Sequence, residues 1–119
     1  MLNQVTLVGR LTKAPILRQT VEGKSVLNIT LALTRHYKNR NGELEADFVL
    51  CTLWHKVAEN TSKYCKKGSL IGIVGRIQTR NYENQEGIKV YITEVIAESV
   101  RFLGKKPTEY RDPPRFATK

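Results

Sequence analysis

Cysteine, histidine and acid are all scarce in this chain, and each shortage closes off a chemistry. The only cysteines are Cys51 and Cys65. They form no C-x-x-C pair, and His36 and His55 stand at no zinc-like spacing from them, so a zinc ribbon or knuckle is excluded. Cys51 alternates with Val49 and Leu53 and reads as a buried strand thiol. There is no G-x-x-x-x-G-K-[ST] phosphate loop, no G-x-S-x-G elbow and no H-E-x-x-H. The eleven acids show no D-x-D or paired pattern of the kind that holds catalytic divalent ions. No cofactor, small-molecule substrate or resident metal is therefore expected. An enzyme reading survives only as a ribonuclease that brings His36 and His55 into one pocket as acid and base. No apolar run approaches the ~20 residues that span a bilayer. The start, MLNQVTLVGRL, lacks a basic segment followed by a long apolar core, so no secretory signal is expected and the location expected is cytoplasmic.

Base is what the chain has in excess. Twenty Lys and Arg against eleven acids give a net charge of +9 and a pI near 9.8. Such a balance suits nucleic acid first and an anionic membrane surface second. Residues 100–119 hold six of the bases against two acids, so the excess is shared between the body and the C-terminal segment. With 40% hydrophobic residues in 119, one domain with its own core is expected.

The apolar residues mostly repeat with period two, the pattern of half-buried strands. Strands are expected over 4–11, 25–34, 48–54, 69–82 and 88–100. One segment differs: Val57, Thr61, Tyr64 and Cys65 share one face of a helix over 56–67, with Gly68 as its C′ residue. Asn39–Gly42 and Glu83–Gly87 read as hairpin tips, and Val21–Lys24 as a further turn. After Gly104 the periodicity stops and Pro107, Pro113 and Pro114 enter. Residues 1–104 thus read as the domain and 105–119 as a basic tail. Three strands, a helix and two strands make the pattern of a five-stranded Greek-key barrel of the OB type, with the helix between strands three and four. Closure would remove the exposed edges of so small a sheet. A β-sandwich is the competing architecture, with more and shorter strands and no mid-chain helix.

Aromatic and basic residues interleave: Arg35-His-Tyr37-Lys38, Phe48, Trp54-His-Lys56 and Arg80-Asn-Tyr82. Bases stack on aromatic faces while Lys and Arg meet the phosphates between them, and duplexes hide those base faces. Phe48 and Trp54 share a strand face opposite Val49, Cys51 and Leu53. Either set could fill the core; the aliphatic set fits a narrow barrel better. Arg76, Arg80 and Tyr82, with Lys89 and Tyr91 on the return strand, suggest one track along a hairpin.

With these residues in view, the chain resembles the bacterial single-stranded DNA-binding proteins, homotetrameric OB-fold coat proteins of replication and recombination. The likeness covers residues 1–103. It runs through Asn3–Leu11, Pro15–Arg18, Asn28–Ala32, Tyr64–Ser69 and Gly75–Arg80. It implies base stacking at Tyr37, Phe48, Trp54 and Tyr82, and phosphate contacts near Lys56 and Arg80. Surface position adds Arg35, Lys38, Arg76 and Lys89. The partner implied is single-stranded DNA, in replication, recombination, repair or DNA uptake, with nucleoid association. The ending, Arg115-Phe-Ala-Thr-Lys119, differs from the acidic tip with terminal Pro-Phe of the replicative members, and looks like a short accessory form. An interaction module of a primosome or recombination complex is the alternative from another class.

An acidic tail competes with DNA for a basic groove, whereas the basic segment 105–119 is expected to add to DNA binding. A chain ended at Gly104 is expected to bind oligo-dT more weakly and with a shallower salt dependence. Equal affinity and slope in a salt titration would refute a role for the tail.

Overall fold

The computed structural model describes residues 1–104, and the expected basic tail, 105–119, lies outside the described residues. Six strands and one helix follow in the order β1 (Val5–Leu11), β2 (Arg18–Gln19), β3 (Ser25–Lys38), β4 (Leu44–Trp54), α1 (His55–Tyr64), β5 (Leu70–Glu83) and β6 (Lys89–Phe102). All belong to one sheet of order β1-β5-β6-β4-β3-β2, and β1 also pairs with β3. That second pairing closes five strands into a barrel of OB type. The two-residue β2 is an outlying edge, paired to β3 through Arg18 and Gln19. Counting only barrel strands, the helix falls between the third and fourth, as expected.

The core follows from strand alternation. Leu27, Ile29 and Leu31 of β3 face Leu53, Cys51 and Val49 of β4 across the ladder. Ile71 and Ile73 of β5, Val95 and Ala97 of β6, and Leu11 of β1 complete the interior. The small Val/Cys/Leu set therefore fills the barrel, and Phe48 and Trp54 stand on the outer face. Leu27, Leu31 and Leu53 are wholly buried, and removal of each from water contributes about 2 kcal/mol. Burial pushes the Cys51 thiol up to about 12, so it is a packing residue and not a nucleophile.

Helix α1 packs Ala58 and Thr61 against the barrel. It ends earlier than its periodicity suggests. Cys65 is the C-cap, with extended backbone, and its N–H donates to the Thr61 carbonyl. Tyr64 is 58% exposed and sits beside Phe102, ring centroids 5.9 Å apart, instead of entering the core. Gly68 is not the C′ residue: it occupies the following turn, closed by the Ser69 N–H donating to the Lys66 carbonyl. Its own N–H donates to the Leu11 carbonyl at 2.8 Å, which ties the turn to β1.

Both long hairpins use the same five-residue turn. The Asn39 side-chain carbonyl accepts the N–H groups of Asn41 and Glu43, and Asn84 does the same for Glu86 and Ile88. Gly42 and Gly87, each the fourth residue of its turn, take the positive φ that a turn of this kind requires. These turns set the register of two ribbons that run beyond the barrel: β3–β4 pairs out to Lys38 and Leu44, and β5–β6 to Glu83 and Lys89. Both β3 and β4 are longer than their apolar cores, because their outer halves are polar and carry no burial signal.

At Gly75 the β5–β6 register shifts by one residue, with Val74 opposite Ser99 and Gly75 opposite Ala97. A Cβ at Gly75 would collide with the Ile96 carbonyl oxygen, a backbone atom that cannot swing away. Gly75→Ala is therefore expected to lower stability by about 1–3 kcal/mol. Gly72→Ala, whose Cβ would come no closer than 3.4 Å to any neighbour, the Leu103 side chain being the nearest, should be nearly neutral. Thermal unfolding of the two variants side by side checks this; equal melting points would refute it.

Candidate nucleic-acid interface

Register decides which side chains share a face. On the outer face, Trp54 lies opposite Val26, Thr52 opposite Asn28, and Phe48 opposite Ala32. On the β5–β6 ribbon the same face carries Arg76, Gln78, Arg80 and Tyr82 opposite Ile96, Glu94, Ile92 and Val90. The parallel contact of β4 with β6, Thr52 beside Ile96, joins the two halves into one surface. That surface presents aromatic rings at its ends and cations between them.

The rings differ in setting. Phe48 is 67% exposed, because its cross-strand neighbour Ala32 is too small to cover it. Tyr82 is exposed near the tip of the second ribbon, and Tyr37 near that of the first. The β3–β4 register shifts between Thr34 and Lys38, so alternation does not fix the side on which Tyr37 stands. Trp54 is half-buried at the corner where β4 becomes α1, its ring 6.2 Å from that of His55. His55 takes a φ of +57° there, an unusual conformation for a residue other than glycine. The helix that starts at this corner carries Lys56 on its first turn, exposed.

The cations are not equally available. Arg80 donates Nε–H to Glu94 Oε2 at 2.8 Å and leaves its Nη groups without a partner among the described residues. Arg76 donates from Nη1 to Gln78 at 3.0 Å, and its Nε lies 3.7 Å from Glu98. Lys38, Lys56 and Lys89 are exposed and enter none of the ion pairs formed among the described residues.

Two expected phosphate contacts sit elsewhere. Arg35 is held by two acids: its Nε and Nη2 grip the Asp47 carboxylate, the latter at 2.7 Å, and Nη1 donates to Glu45 at 2.9 Å. Asp47 and Glu45 alternate with Phe48 along β4, so Arg35 braces the reverse of the ribbon. Lys89 and Tyr91 pair with Glu83 and Asn81, on the face opposite Tyr82 and Arg80. The single track expected along that hairpin is thus two faces, and only Arg76, Arg80 and Tyr82 share the aromatic one. The two histidines lie at opposite ends of the β3–β4 ladder, some ten residues of strand apart or roughly 30 Å. They form no acid–base pair within the chain.

Sequence reasoning missed the polar group beneath Arg80. Glu94 is 3% exposed, although it stands on the outer face. The Thr52 hydroxyl donates to its Oε1 at 2.6 Å and lies 3.2 Å from Asn28 Oδ1. The one available signal was an acid set between Ile92 and Ile96 at the parity of Arg80.

A closed five-stranded barrel with aromatic rings and cations on one outer face is a barrel of the nucleic-acid-binding class. The sequence profile of the Single-strand binding protein family matches residues 2–103, and the chain belongs to that family. It is 62% identical over 109 residues to Single-stranded DNA-binding protein B of Bacillus subtilis (strain 168), covering 92% of this chain and 96% of that protein. It is 55% identical over 109 residues to Single-stranded DNA-binding protein 1 of Lactococcus lactis subsp. lactis (strain IL1403), covering 92% and 73%. The single-stranded DNA-binding protein of Bacillus cereus is 59% identical over 103 residues, of which this chain spans 61% of the length.

Hydrogen bonding from Arg35 holds the Asp47 carboxyl below its usual range. A depressed folded value contributes stability above the unfolded value, about pH 4, and the contribution is lost as pH falls through the folded one. Urea unfolding between pH 6 and pH 2 should therefore show a larger loss for the native chain than for Asp47→Asn. The difference is small, because the pair is exposed. Parallel pH profiles would show that the pair does not brace the ribbon.

Proposed function

We propose that this protein binds single-stranded DNA with little sequence preference, coating and protecting it, and catalyses no reaction. The observation that carries the reading is the joint placement of Phe48, Trp54 and Tyr82 with Arg76 and Arg80 on one continuous outer face. Every base has a planar face to offer such rings, so stacking is tolerant of sequence, and the cations between them meet the linking phosphates. Tyr37 and Lys38 add a ring and a cation near the tip of the first ribbon, and Lys56 a cation at the helix corner. Arg35 and Lys89 are left out of the binding set because of their pairing and their face. Membership of the family supports the reading, as do the names of the relatives. Among the described residues no helix is long and apolar enough to cross a membrane. A homotetramer acting in the cytoplasm, in replication, recombination, repair or DNA uptake, extends the reading along the resemblance.

Trp54 fluorescence should be quenched saturably by oligo-dT and not by duplex of equal length. The affinity should fall with salt at a slope of about −0.7 for each phosphate neutralised. Phe48→Ala should weaken binding by about 1–3 kcal/mol, the range typical of stacking in single-strand-binding barrels as a class. Equal quenching by duplex, or a salt-independent affinity, would refute the reading.

A further inference from the structure

The buried carboxylate of Glu94 is an oddity on a surface read as DNA-binding. A negative charge there repels the phosphates that the neighbouring cations attract. An ionised carboxylate removed from water is also costly unless its oxygens are hydrogen-bonded or paired. Glu94 meets both conditions with specific partners, the Thr52 hydroxyl on Oε1 and the Arg80 Nε–H on Oε2. Thr52 comes from β4 and Arg80 from β5, so the carboxylate of β6 links the two strands on either side of it. Its side chain is 3% exposed and that of Arg80 is 50% exposed, so Arg80 passes from a dry anchor to solvent.

The consequence lies in which nitrogen is used. Arg80 engages Glu94 through Nε alone. The guanidinium is planar and rigid, so holding Nε against a buried carboxylate restrains the whole group and leaves both Nη nitrogens without a partner among the described residues. A fork held in place recognises a phosphate with two parallel donors and loses little rotamer freedom on binding. A free Arg at the same position would be a mobile point charge. Arg76 has no buried carboxylate to hold it: its Nη1 donates to the Gln78 side chain at 3.0 Å, which occupies part of its fork, and its acidic neighbour Glu98 lies at 3.7 Å and is itself largely exposed.

We propose that Glu94, supported by Thr52, is a positioning residue that aims the Nη fork of Arg80 at a phosphodiester of bound single-stranded DNA. The inference rests on the function proposed above and adds a division of labour within its site. Arg80 supplies a directed contact, and Lys38 and Lys56 supply diffuse charge.

The opposite possibility is definite. If Glu94 only neutralises Arg80, its removal raises the local positive charge and tightens binding. If it only holds the fold, its removal weakens binding whether or not Arg80 is present. The test is a double-mutant cycle on the full chain, with oligo-dT affinity measured across a salt series and melting temperature alongside. Glu94→Ala is expected to lower affinity about tenfold and to make the salt slope shallower by about 0.7, one phosphate contact. Glu94→Gln keeps an acceptor for Nε–H and should fall between Glu94→Ala and the native chain. In an Arg80→Ala background, Glu94→Ala should cost no further affinity. Unchanged or tighter binding by both Glu94 variants overturns the proposal, as does an equal loss in the Arg80→Ala background. If Glu94→Ala fails to fold, Thr52→Val against Thr52→Ser asks the same question with no change of charge. The expected result is weaker binding by the valine variant alone, and equal binding by the two would overturn the proposal. Failure of the native chain to bind oligo-dT would sink the function itself, whereas failure of the cycle with native binding intact sinks only the role of Glu94.

Discussion

Strand β1 hydrogen-bonds along both of its edges, to β5 from Val5 to Arg10 and to β3 at Arg10 and Leu11. Because of that double pairing the sheet has an inside. Once the sheet is closed, each strand can send only one of its two faces to the interior, and the interior is narrow enough to be filled by Leu, Ile, Val and Cys. Closure also demands close passage of backbones. At Gly9 a Cβ would fall 2.7 Å from the Ala32 carbonyl oxygen, at the point where β1 crosses β3. Gly75 relieves the same crowding between β5 and β6, beside the register shift that turns the strand.

The outer face inherits its chemistry from that constraint. Phe48 and Trp54 are displayed because Val49, Cys51 and Leu53 are enclosed. The parallel contact of β4 with β6, only two residues long, then sets the β4 rings beside the cations of β5. The corner at Trp54 and His55 matters as well. A left-handed residue that is not glycine costs roughly 1 kcal/mol or more. It turns the chain sharply enough to start α1, and with it Lys56, directly after Trp54. Net charge alone overstates what this face offers an anion. Arg35 is consumed by Asp47 and Glu45, and Arg80 is half-engaged by Glu94, so the useful cations are fewer than the composition implies.

Much of this was legible before any coordinates. The odd positions of 27–33, 49–53 and 71–73 alternate as core strands must, and they are the core. The hairpin tips at 39–42 and 83–87 were marked by Asn and Gly, whose side-chain acceptor and positive φ build the turn locally. Errors arose where local pattern met a nonlocal neighbour. Tyr64 sits at helical spacing with Thr61, yet α1 ends there and its ring lies against Phe102 at the rim. Lys89 and Tyr91 look like partners of Arg80 and Tyr82 along a ribbon. The five-residue turn instead pairs Glu83 with Lys89 and puts them on the reverse face, since a hairpin's register, not its composition, decides which residues share a side.

The sequence by itself determined the strand cores, the barrel class and the supply of rings and cations, because alternation, turn chemistry and composition are short-range properties. Only the tertiary structure decided which cations remain free and how the free ones point. Arg35 lost its freedom to acids ten and twelve residues away, and Arg80 took its direction from an acid fourteen residues away on the neighbouring strand. Ion pairing depends on distance in space, and the cross-strand registers of β3–β4 and β5–β6 are what bring those residues within reach of one another.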